Sequence, residues 1–304
     1  MEHVLVTGGA GFIGSQLVEN LLRTPCQVTV IDDLSSGQKR FVPKTAKFYK
    51  LDVRSPKLKA LVKRLKPDYV CHLAAQLSVP RSIAEAAADA SINIVGSLNV
   101  LEAVKNLSLK KFLFVSSAAV YGQAEIIPTP ERASLKPGSP YALSKVTVEQ
   151  YLSYYGAAYS LPYVVVRPAN IYGPRQSATG EGGVVAVFCK KLLNQETLLI
   201  EGSGQQTRDF TYVTDLVQGL AAALWGGNGI YNLAAGKEVA IRELVLTLGE
   251  VMSQVPRVAY APERLQDIKR SCLDTKRAAS ELGWKSNVPL LDGLRQTLRW
   301  QKSN

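Results

Sequence analysis

The sequence predicts an α/β protein built on a doubly wound parallel β-sheet, followed by a smaller mixed α/β lobe. In the first 168 residues, short apolar strand patterns alternate with helical patterns, and the connections between them are short. The strand patterns lack polar alternation, which is typical of strands covered on both faces. After Pro168 the chain turns to polar, Gly-rich loops and mixed elements, which indicates a second lobe.

Right-handed crossovers between the strands of the first part would place helices on both faces of the sheet. The predicted strands are His3–Thr7, Gln27–Asp32, Lys47–Leu51, Tyr69–Leu73, Lys111–Ser117 and Tyr163–Arg167. The predicted helices are Phe12–Arg23, Pro56–Leu65, Ile83–Asn106 and Pro140–Ala158. We therefore expect a first domain over residues 1–168.

Residues 169–304 are expected to form the second lobe, interleaved with the first domain. Its predicted helices are Val184–Asn194, Val213–Leu224, Ile241–Met252, Thr275–Leu282 and Leu290–Trp300. Short strands such as Leu198–Ile200 lie between them. The chain shows no internal repeat and no low-complexity segment.

Composition and charge narrow the class of protein. The 304 residues are 46% hydrophobic, which is ample for a core, and no apolar run approaches the roughly 18 residues that cross a bilayer. The net charge of +11 comes from lysines and arginines spread over many short stretches without interleaved aromatic residues, so nucleic-acid binding is not expected. A positive surface would attract an anionic substrate.

The cysteines and histidines point to a reduced cytoplasmic protein without a metal. Cys26, Cys71, Cys189 and Cys272 form no CxxC pair, and no secretory signal is apparent, so reduced thiols in the cytoplasm are expected. His3 and His72 are the two histidines of the chain, too few for a histidine-based metal site.

A glycine-rich turn follows the first predicted strand and opens the first predicted helix. Gly9, Gly11 and Gly14 fit the pattern G-x-G-x-x-G, and Gly8, Gly11 and Gly14 fit G-x-x-G-x-x-G. Missing Cβ atoms allow a tight turn and close approach of a pyrophosphate to the helix N-terminus. A turn that merely packs the helix on the strand is the alternative. The strand before and the helix after the turn favour a Rossmann-type dinucleotide-binding domain.

An acidic residue ends the second predicted strand. Asp32 is placed to accept hydrogen bonds from an adenosine ribose, and its charge would repel a 2′-phosphate. NAD is therefore expected rather than NADP. Lys39 and Arg40, which follow shortly, are the features that weaken this preference.

A candidate catalytic group lies further along the chain in the same predicted domain. Ser116 and Ser117 end the fifth predicted strand, at the sheet edge where open α/β sheets bind ligands. Tyr141 and Lys145 lie four residues apart at the start of the next helix, on one helical face. A neighbouring ammonium and an oxidised nicotinamide would lower the phenol pKa, so that Tyr141 acts as a base while Ser117 binds the reacting oxygen.

The sequence resembles the extended short-chain dehydrogenase/reductase family, in its nucleotide-sugar epimerase/dehydratase branch, over nearly its whole length. The segments that carry the resemblance are Thr7–Gly14, Val30–Gly37, His72–Gln76, Val115–Gly122, Pro140–Lys145, Arg167–Gln176, Glu201–Asp215 and Leu282–Trp284. It implies an NAD-dependent enzyme that epimerises a nucleotide sugar at C4 through a transient 4-keto sugar.

The resemblance also assigns roles to individual residues. Those expected to contact NAD are Gly8, Gly11, Phe12, Ile13, Gly14, Asp32, Asp52, Val53, Leu73, Ala74, Ala75, Tyr141 and Lys145. Ser117, Tyr141 and Lys145 take the catalytic positions. The substrate side comprises Ser117, Asn170, Arg208, Arg264 and Ser271, of which the two arginines match residues that grip a diphosphate.

Departures from the branch refine the expected reaction. Dehydratases of the branch carry an Asp-Glu pair directly after the catalytic hydroxyl residue, whereas here Ala118 and Ala119 follow Ser117. The segment at residues 175–185 resembles that of galactose-type epimerases rather than that of relatives acting on sugar uronic acids. Ser271 falls where some epimerases carry a bulky Tyr, so an N-acetyl group could also fit.

We therefore expect 4-epimerisation of UDP-glucose and UDP-galactose. The resemblance also implies a homodimer that pairs through the helices at Ile83–Asn106 and Pro140–Ala158. A UDP-GlcNAc/UDP-GalNAc epimerase, a UDP-glucuronate epimerase and an NADPH-dependent sugar reductase remain alternatives, although a reductase would normally carry a basic residue in place of Asp32. A dinucleotide sensor without catalysis is the alternative from another class, since fold alone does not establish activity.

Overall fold

A computed structural model of the chain describes residues 1–178, 183–263 and 268–304. They form two compact units whose segments alternate along the chain. The first unit comprises Met1–Val120, Pro137–Arg167 and Val217–Tyr231, and the second comprises Tyr121–Lys136, Pro168–Leu216 and Asn232–Asn304. The chain leaves the first unit for good only after Tyr231, so neither unit is one continuous stretch.

Strands and helices alternate along the first part of the chain, as the sequence predicts. In chain order they are β1 (Glu2–Thr7), α1 (Phe12–Leu21), β2 (Cys26–Asp32), β3 (Lys47–Lys50), α2 (Lys57–Leu65), β4 (Tyr69–His72), α3 (Val79–Ala84), α4 (Ala86–Ala90), α5 (Gly96–Val104), β5 (Lys111–Val115), α6 (Pro140–Tyr159) and β6 (Tyr163–Pro168). β5 ends at Val115, so Ser116 and Ser117 follow the strand rather than end it.

Later strands are shorter than those of the first part. The elements after β6 are β7 (Asn170–Tyr172), α7 (Val184–Leu193), β8 (Leu198–Glu201), β9 (Thr207–Arg208), β10 (Phe210–Tyr212), α8 (Val213–Gly226), β11 (Gly229–Leu233), β12 (Val239–Ala240), α9 (Ile241–Met252), β13 (Val258–Ala261), α10 (Lys276–Leu282) and α11 (Leu290–Lys302). β7 pairs with β10 and β8 with β13 in parallel, and β9 pairs with β12 antiparallel. Among the described residues, no helix is both long enough and apolar enough to cross a bilayer.

The central sheet has the strand order β11-β6-β5-β4-β1-β2-β3. Neighbouring strands of the series β6-β5-β4-β1-β2-β3 pair in parallel. Thr7 of β1 lies opposite Ile31 of β2 on one side and His72 of β4 on the other. The order reverses between β1 and β4, because β2 and β3 extend the sheet on one side and β4 to β6 on the other. Carboxyl ends of strands at such a reversal form the ligand crevice of open α/β sheets. The predicted doubly wound sheet is confirmed, and its reversal lies directly beside the glycine turn.

The predicted helix Ile83–Asn106 is wrong as a single helix. α3 ends at Ala84. The next residue, Glu85, has a non-helical φ of −132° and ψ of 55°, and α4 follows at once. A π-helical turn at Ser91–Val95 then leads into α5. The buried side chains of Asp89 and Asn93 hydrogen-bond to Gln76 in the loop after β4, and Asp89 also bonds to Ser144 of α6. Because these bonds join residues distant in sequence, apolar periodicity could not reveal the interruption.

A buried ion pair fastens α6 to the sheet. The Arg167 guanidinium donates from Nε to Oε1 of Glu149 at 3.0 Å, and from its terminal nitrogen to Oε2 at 2.5 Å. The side chains are 3% and 6% exposed respectively, and the Ser116 hydroxyl donates to the same carboxylate. Removing one partner of such a pair is costly, since the other charge stays buried.

We expect Glu149→Leu to lower the free energy of unfolding by about 3 kcal/mol or more. The double variant Glu149→Leu/Arg167→Leu should recover much of this loss because no charge is left uncompensated. Urea denaturation monitored by circular dichroism measures both. Glu85→Gln, which removes the exposed partner of Arg81, is the control and should cost less than about 1 kcal/mol. Equal losses in the single and double variants would contradict this account.

Candidate active site

The glycine turn between β1 and α1 is so tight that side chains cannot fit at two of its positions. Gly8 has a φ of +71°, and a Cβ there would lie 2.6 Å from the backbone nitrogen of Ala74. A Cβ on Gly14 would lie 2.1 Å from the carbonyl oxygen of Gly8. A Cβ on Gly11 meets only that same oxygen, at 3.3 Å, and otherwise open space. The turn therefore packs closely against backbone atoms at Gly8 and Gly14 and is open at Gly11, as the close approach of a pyrophosphate requires.

The N-terminus of α1 begins at this open position. Gly11 is the N-cap residue, and Phe12, Ile13 and Gly14 form the first turn without any charged side chain. Backbone N–H groups at a helix N-terminus favour an anion. The residues predicted to line the pyrophosphate therefore lie where a phosphate would be stabilised.

Asp32 at the end of β2 holds the glycine turn in place. Its Oδ2 accepts a hydrogen bond from the Ala10 N–H at 2.9 Å, and its Oδ1 accepts one from the Leu34 N–H at 2.8 Å. Burial raises the pKa of this carboxyl above its usual value, and the two backbone hydrogen bonds oppose that rise. Each oxygen keeps a second lone pair for a ribose hydroxyl. The site therefore fits an unphosphorylated adenosine ribose.

Other predicted cofactor residues surround the same strand ends. The Leu73 N–H donates to the Thr7 carbonyl at 3.1 Å, which places Leu73, Ala74 and Ala75 directly after β4. Asp52 accepts from the Arg54 N–H at 2.7 Å and from its guanidinium, which lowers the pKa of the Asp52 carboxyl. Val53 is buried. All these residues belong to the first unit.

The structure brings Ser117, Tyr141 and Lys145 together in the first unit. Ser139 caps α6 by accepting from the Ala142 N–H at 3.2 Å, which fixes Tyr141 in the first helical turn. The Ser117 side chain lies close enough to the Tyr141 hydroxyl to act on the pKa of that phenol. Lys145 is 4% exposed, and its Nζ donates to the Val115 carbonyl at 2.9 Å and lies 5.8 Å from the Tyr141 ring centroid.

Burial sets the protonation of both catalytic side chains. It raises the pKa of Tyr141 to about 12, although the nearby Ser117 side chain acts in the lowering direction. It lowers the pKa of Lys145 to about 8, opposed by the carboxylates of Asp89 and Glu149. The expected lowering of the phenol pKa is thus not a property of the protein's own groups. It requires the positive charge of an oxidised nicotinamide in addition.

His72 joins the strand ends beneath the site, a role that the sequence analysis missed. Its Nδ1 is 2.7 Å from the Thr7 hydroxyl and its Nε2 is 2.9 Å from the Ser97 hydroxyl. Burial lowers the pKa of His72 to about 3, so the imidazole is neutral. No local motif marks such a residue, because its partners come from two other elements.

The predicted substrate residues that the structure describes lie in the second unit. Asn170 begins β7, and its N–H donates to the Asp209 carbonyl at 3.0 Å. The Arg208 guanidinium donates to the carbonyls of Thr207 at 2.8 Å and Ile268 at 2.5 Å. Ser271 is half-buried. Arg264 and residues 179–182 of the galactose-type segment lie outside the described residues.

Asp209 organises this part of the second unit, and the sequence analysis missed it as well. Its carboxylate accepts from the N–H groups of Ala235 at 3.0 Å, Gly236 at 3.1 Å and Leu273 at 3.2 Å. Burial raises the pKa of Asp209 to about 6. It follows Arg208 directly, so its three bonds fix the backbone that carries the arginine.

The fold and the site together are those of an NAD-binding α/β enzyme in which Ser117, Tyr141 and Lys145 are the candidate catalytic group. Comparison with known proteins agrees, since a profile of the NAD dependent epimerase/dehydratase family matches residues 4–234. The chain is 39% identical to the UDP-glucose 4-epimerase of Mycolicibacterium smegmatis, over 98% of each sequence.

Two solved structures are similar to nearly the whole chain. The Thermotoga maritima UDP-glucose 4-epimerase with UDP-glucose superposes with a TM-score of 0.97 at 39% identity, covering 99% of both chains. The UDP-N-acetylglucosamine 4-epimerase of Methanobrevibacter ruminantium, in complex with UDP-N-acetylmuramic acid, gives 0.94 at 36% identity, covering 99% of this chain and 98% of that one. The chain belongs to the NAD-dependent epimerase/dehydratase family, and its cofactor is NAD.

We expect Gly11→Ala and Gly14→Ala to separate cofactor binding from folding. The new methyl of Gly14→Ala meets the Gly8 carbonyl, so both the melting temperature and NAD binding should fall. Gly11→Ala should keep a melting temperature closer to that of the wild type but weaken NAD at least about tenfold, or 1.4 kcal/mol. Thermal unfolding and calorimetry measure the two effects, and Gly226→Ala, with open space around it, is the control. Undiminished NAD affinity in Gly11→Ala would refute the assigned pyrophosphate position.

Proposed function

We propose that this protein catalyses the reversible 4-epimerisation of UDP-glucose and UDP-galactose through a 4-keto sugar. The observation that carries the proposal is the group formed by the half-buried Ser117, which follows β5, and the buried Tyr141 and Lys145 at the start of α6. The similar UDP-glucose 4-epimerases support it. The glycine turn and Asp32 hold the cofactor on the same sheet edge.

Tyr141 moves the proton in this reaction. Its hydroxyl, which lies near Ser117, takes the proton from the sugar O4 and later returns it. Ser117 donates to the reacting oxygen, and the Lys145 ammonium stabilises the phenolate. Bound NAD supplies the acceptor and the donor of the C4 hydride.

Residues of the second unit hold the nucleotide while the keto sugar turns its opposite face toward the cofactor. Arg208 carries a guanidinium suited to diphosphate oxygens, and Asp209 fixes the backbone next to it. Asn170 contacts the sugar nucleotide, and Arg264 supplies the second guanidinium. Since the sugar's redox state is unchanged overall, the cofactor need not leave.

Epimerisation is favoured over dehydration by the residues after Ser117. Ala118 and Ala119 form a short 3₁₀ turn and carry no acid or base. Elimination of water from a keto sugar needs a proton donor and a proton acceptor near the sugar C5 and C6. With two alanines in these places, the keto sugar returns to the hydroxyl form.

Purified protein should interconvert UDP-galactose and UDP-glucose without added NAD or with only catalytic amounts. Tyr141→Phe should lower kcat about 100- to 10,000-fold and leave NAD bound, because only the proton-transferring hydroxyl is lost. Tyr163→Phe, which removes a phenol hydroxyl at the start of β6, is the matched control. A coupled assay of the UDP-glucose formed measures turnover, and the absorbance of released NAD measures the bound cofactor. A need for stoichiometric cofactor would defeat the proposal.

A second candidate substrate pair is UDP-GlcNAc and UDP-GalNAc. Ser271 is small where some epimerases carry Tyr, and the similar UDP-N-acetylglucosamine 4-epimerase supports room for an N-acetyl group. A serine side chain removes a steric barrier without adding a contact specific for the acetamide. Both sugar pairs are therefore compatible with the site.

Ser271→Tyr should lower kcat/KM for UDP-GlcNAc about tenfold or more relative to UDP-glucose, because the added ring fills the space of the acetamide. Parallel assays with both sugars measure the ratio. Ser280→Tyr, on the exposed face of α10, controls for the added ring. A ratio equal to that of the wild type would show that Ser271 does not bound the sugar.

We include a homodimer in the proposal. Large apolar side chains are exposed on neighbouring helices of the first unit: Ile83 on α3 is 63% exposed, and Leu143 and Tyr154 on α6 are 54% and 58% exposed. Such a surface is typical of a protein–protein contact, and a two-fold axis would bury it on both copies.

The four cysteines are free and buried, which supports a reducing cytoplasmic location.

A further inference from the structure

Asp89 is a buried carboxylate on a helix that packs against α6, and its hydrogen-bond donors among the described residues are all neutral. It lies on α4 and is 1% exposed. Its Oδ1 accepts from Gln76 Nε2 and from Asn93 Nδ2, both at 2.9 Å, and its Oδ2 accepts from the Ser144 hydroxyl at 2.7 Å. A carboxylate buried in this way is costly unless a positive charge lies nearby.

The positive charge nearest in sequence to these contacts is that of Lys145, which directly follows Ser144. Lys145 is itself buried, and its Nζ donates to a neutral carbonyl, that of Val115. α4 packs on α6, so the carboxylate and the ammonium act on each other across this contact. Each would otherwise be an uncompensated charge.

The other ionisable groups around Lys145 are already neutral or balanced. Glu149, one turn further along α6, is paired with Arg167. His72 on β4 is neutral because burial lowers its pKa to about 3, and the Tyr141 phenol is neutral in the protein alone. Within the described residues, Asp89 is therefore the carboxylate whose charge is left to balance Lys145.

We propose that Asp89 is a positioning residue that keeps Lys145 protonated, by holding an uncompensated negative charge against α6 through Ser144. The same charge disfavours the Tyr141 phenolate. Its benefit is therefore exerted through the ammonium, which must stay charged inside the protein to stabilise that phenolate. The consequence for turnover rests on the proposed epimerase activity, whereas the protonation of Lys145 does not.

Asp89→Asn tests the charge with little change in shape. Asparagine keeps an oxygen for Gln76 and Asn93, and its amide can donate to the Ser144 hydroxyl. Removing a negative charge lowers the pKa of Lys145 and that of Tyr141, so both limbs of the pH profile of kcat should move to lower pH. A purely structural role would lower kcat without moving the profile.

The first readout is the titration of Lys145 in the holoprotein, followed by NMR with ¹³Cε-labelled lysine and assigned with Lys145→Arg. We expect the Asp89→Asn variant to titrate about one pH unit or more below the wild type. Asp68→Asn, which removes a carboxylate bonded to the His3 N–H at the other end of β4, should titrate as the wild type does. Identical Lys145 titrations in Asp89→Asn and the wild type overturn the proposal.

The second readout is the pH profile of kcat with UDP-galactose. A shift of the alkaline limb by one pH unit lowers kcat about tenfold at pH values above both pKa values. An inactive wild type would defeat the proposed function and leave the NMR test standing. Should Asp89→Asn not fold, the ¹³Cγ shift of Asp89 in the wild type at pH 7 decides: an ionised carboxylate supports the proposal, and a protonated one overturns it.

Discussion

The site depends on one helix that buries ionisable side chains at intervals of four residues. Tyr141, Lys145 and Glu149 lie on the same face of α6 and are all buried. Burial disfavours a charge on each of them, so the surrounding elements must supply compensation. Arg167 of β6 does so for Glu149, and the Val115 carbonyl accepts from Lys145. The chemistry of the phenol thus follows from how the sheet and its neighbouring helices balance charges along one helical face.

The glycine turn imposes the second constraint, which is steric rather than electrostatic. Gly8 and Gly14 approach backbone atoms so closely that β1 and α1 have one way of joining. Asp32 bonds to the same turn, so the residue predicted to discriminate between ribose and a 2′-phosphate also stabilises the turn. We therefore expect cofactor binding and folding to be coupled at Gly8 and Gly14, and to be separable at Gly11.

Several particulars followed from the sequence because they depend on neighbours close along the chain. The alternation of strands and helices, the glycine turn with Asp32, and the spacing of Tyr141 and Lys145 are of this kind. The helix predicted at Ile83–Asn106 failed for the opposite reason. Its interruption is stabilised by Asp89 and Asn93 bonding to Gln76 and Ser144, and apolar periodicity does not report such bonds. The short strands β7, β9, β10 and β12 were missed because two or three residues show no periodicity.

By itself, the sequence determined the fold class and the cofactor and predicted the candidate catalytic side chains, because each follows from a local pattern of spacing or glycine content. Only the tertiary structure decided the protonation of those side chains. Burial raises the pKa of Tyr141 and lowers that of Lys145. Of the groups that oppose this, Glu149 lies on the same helix, whereas Ser117 and Asp89 come from other elements of the chain. Electrostatic interactions depend on distance in space and on solvent exposure, and neither is encoded by separation along the sequence.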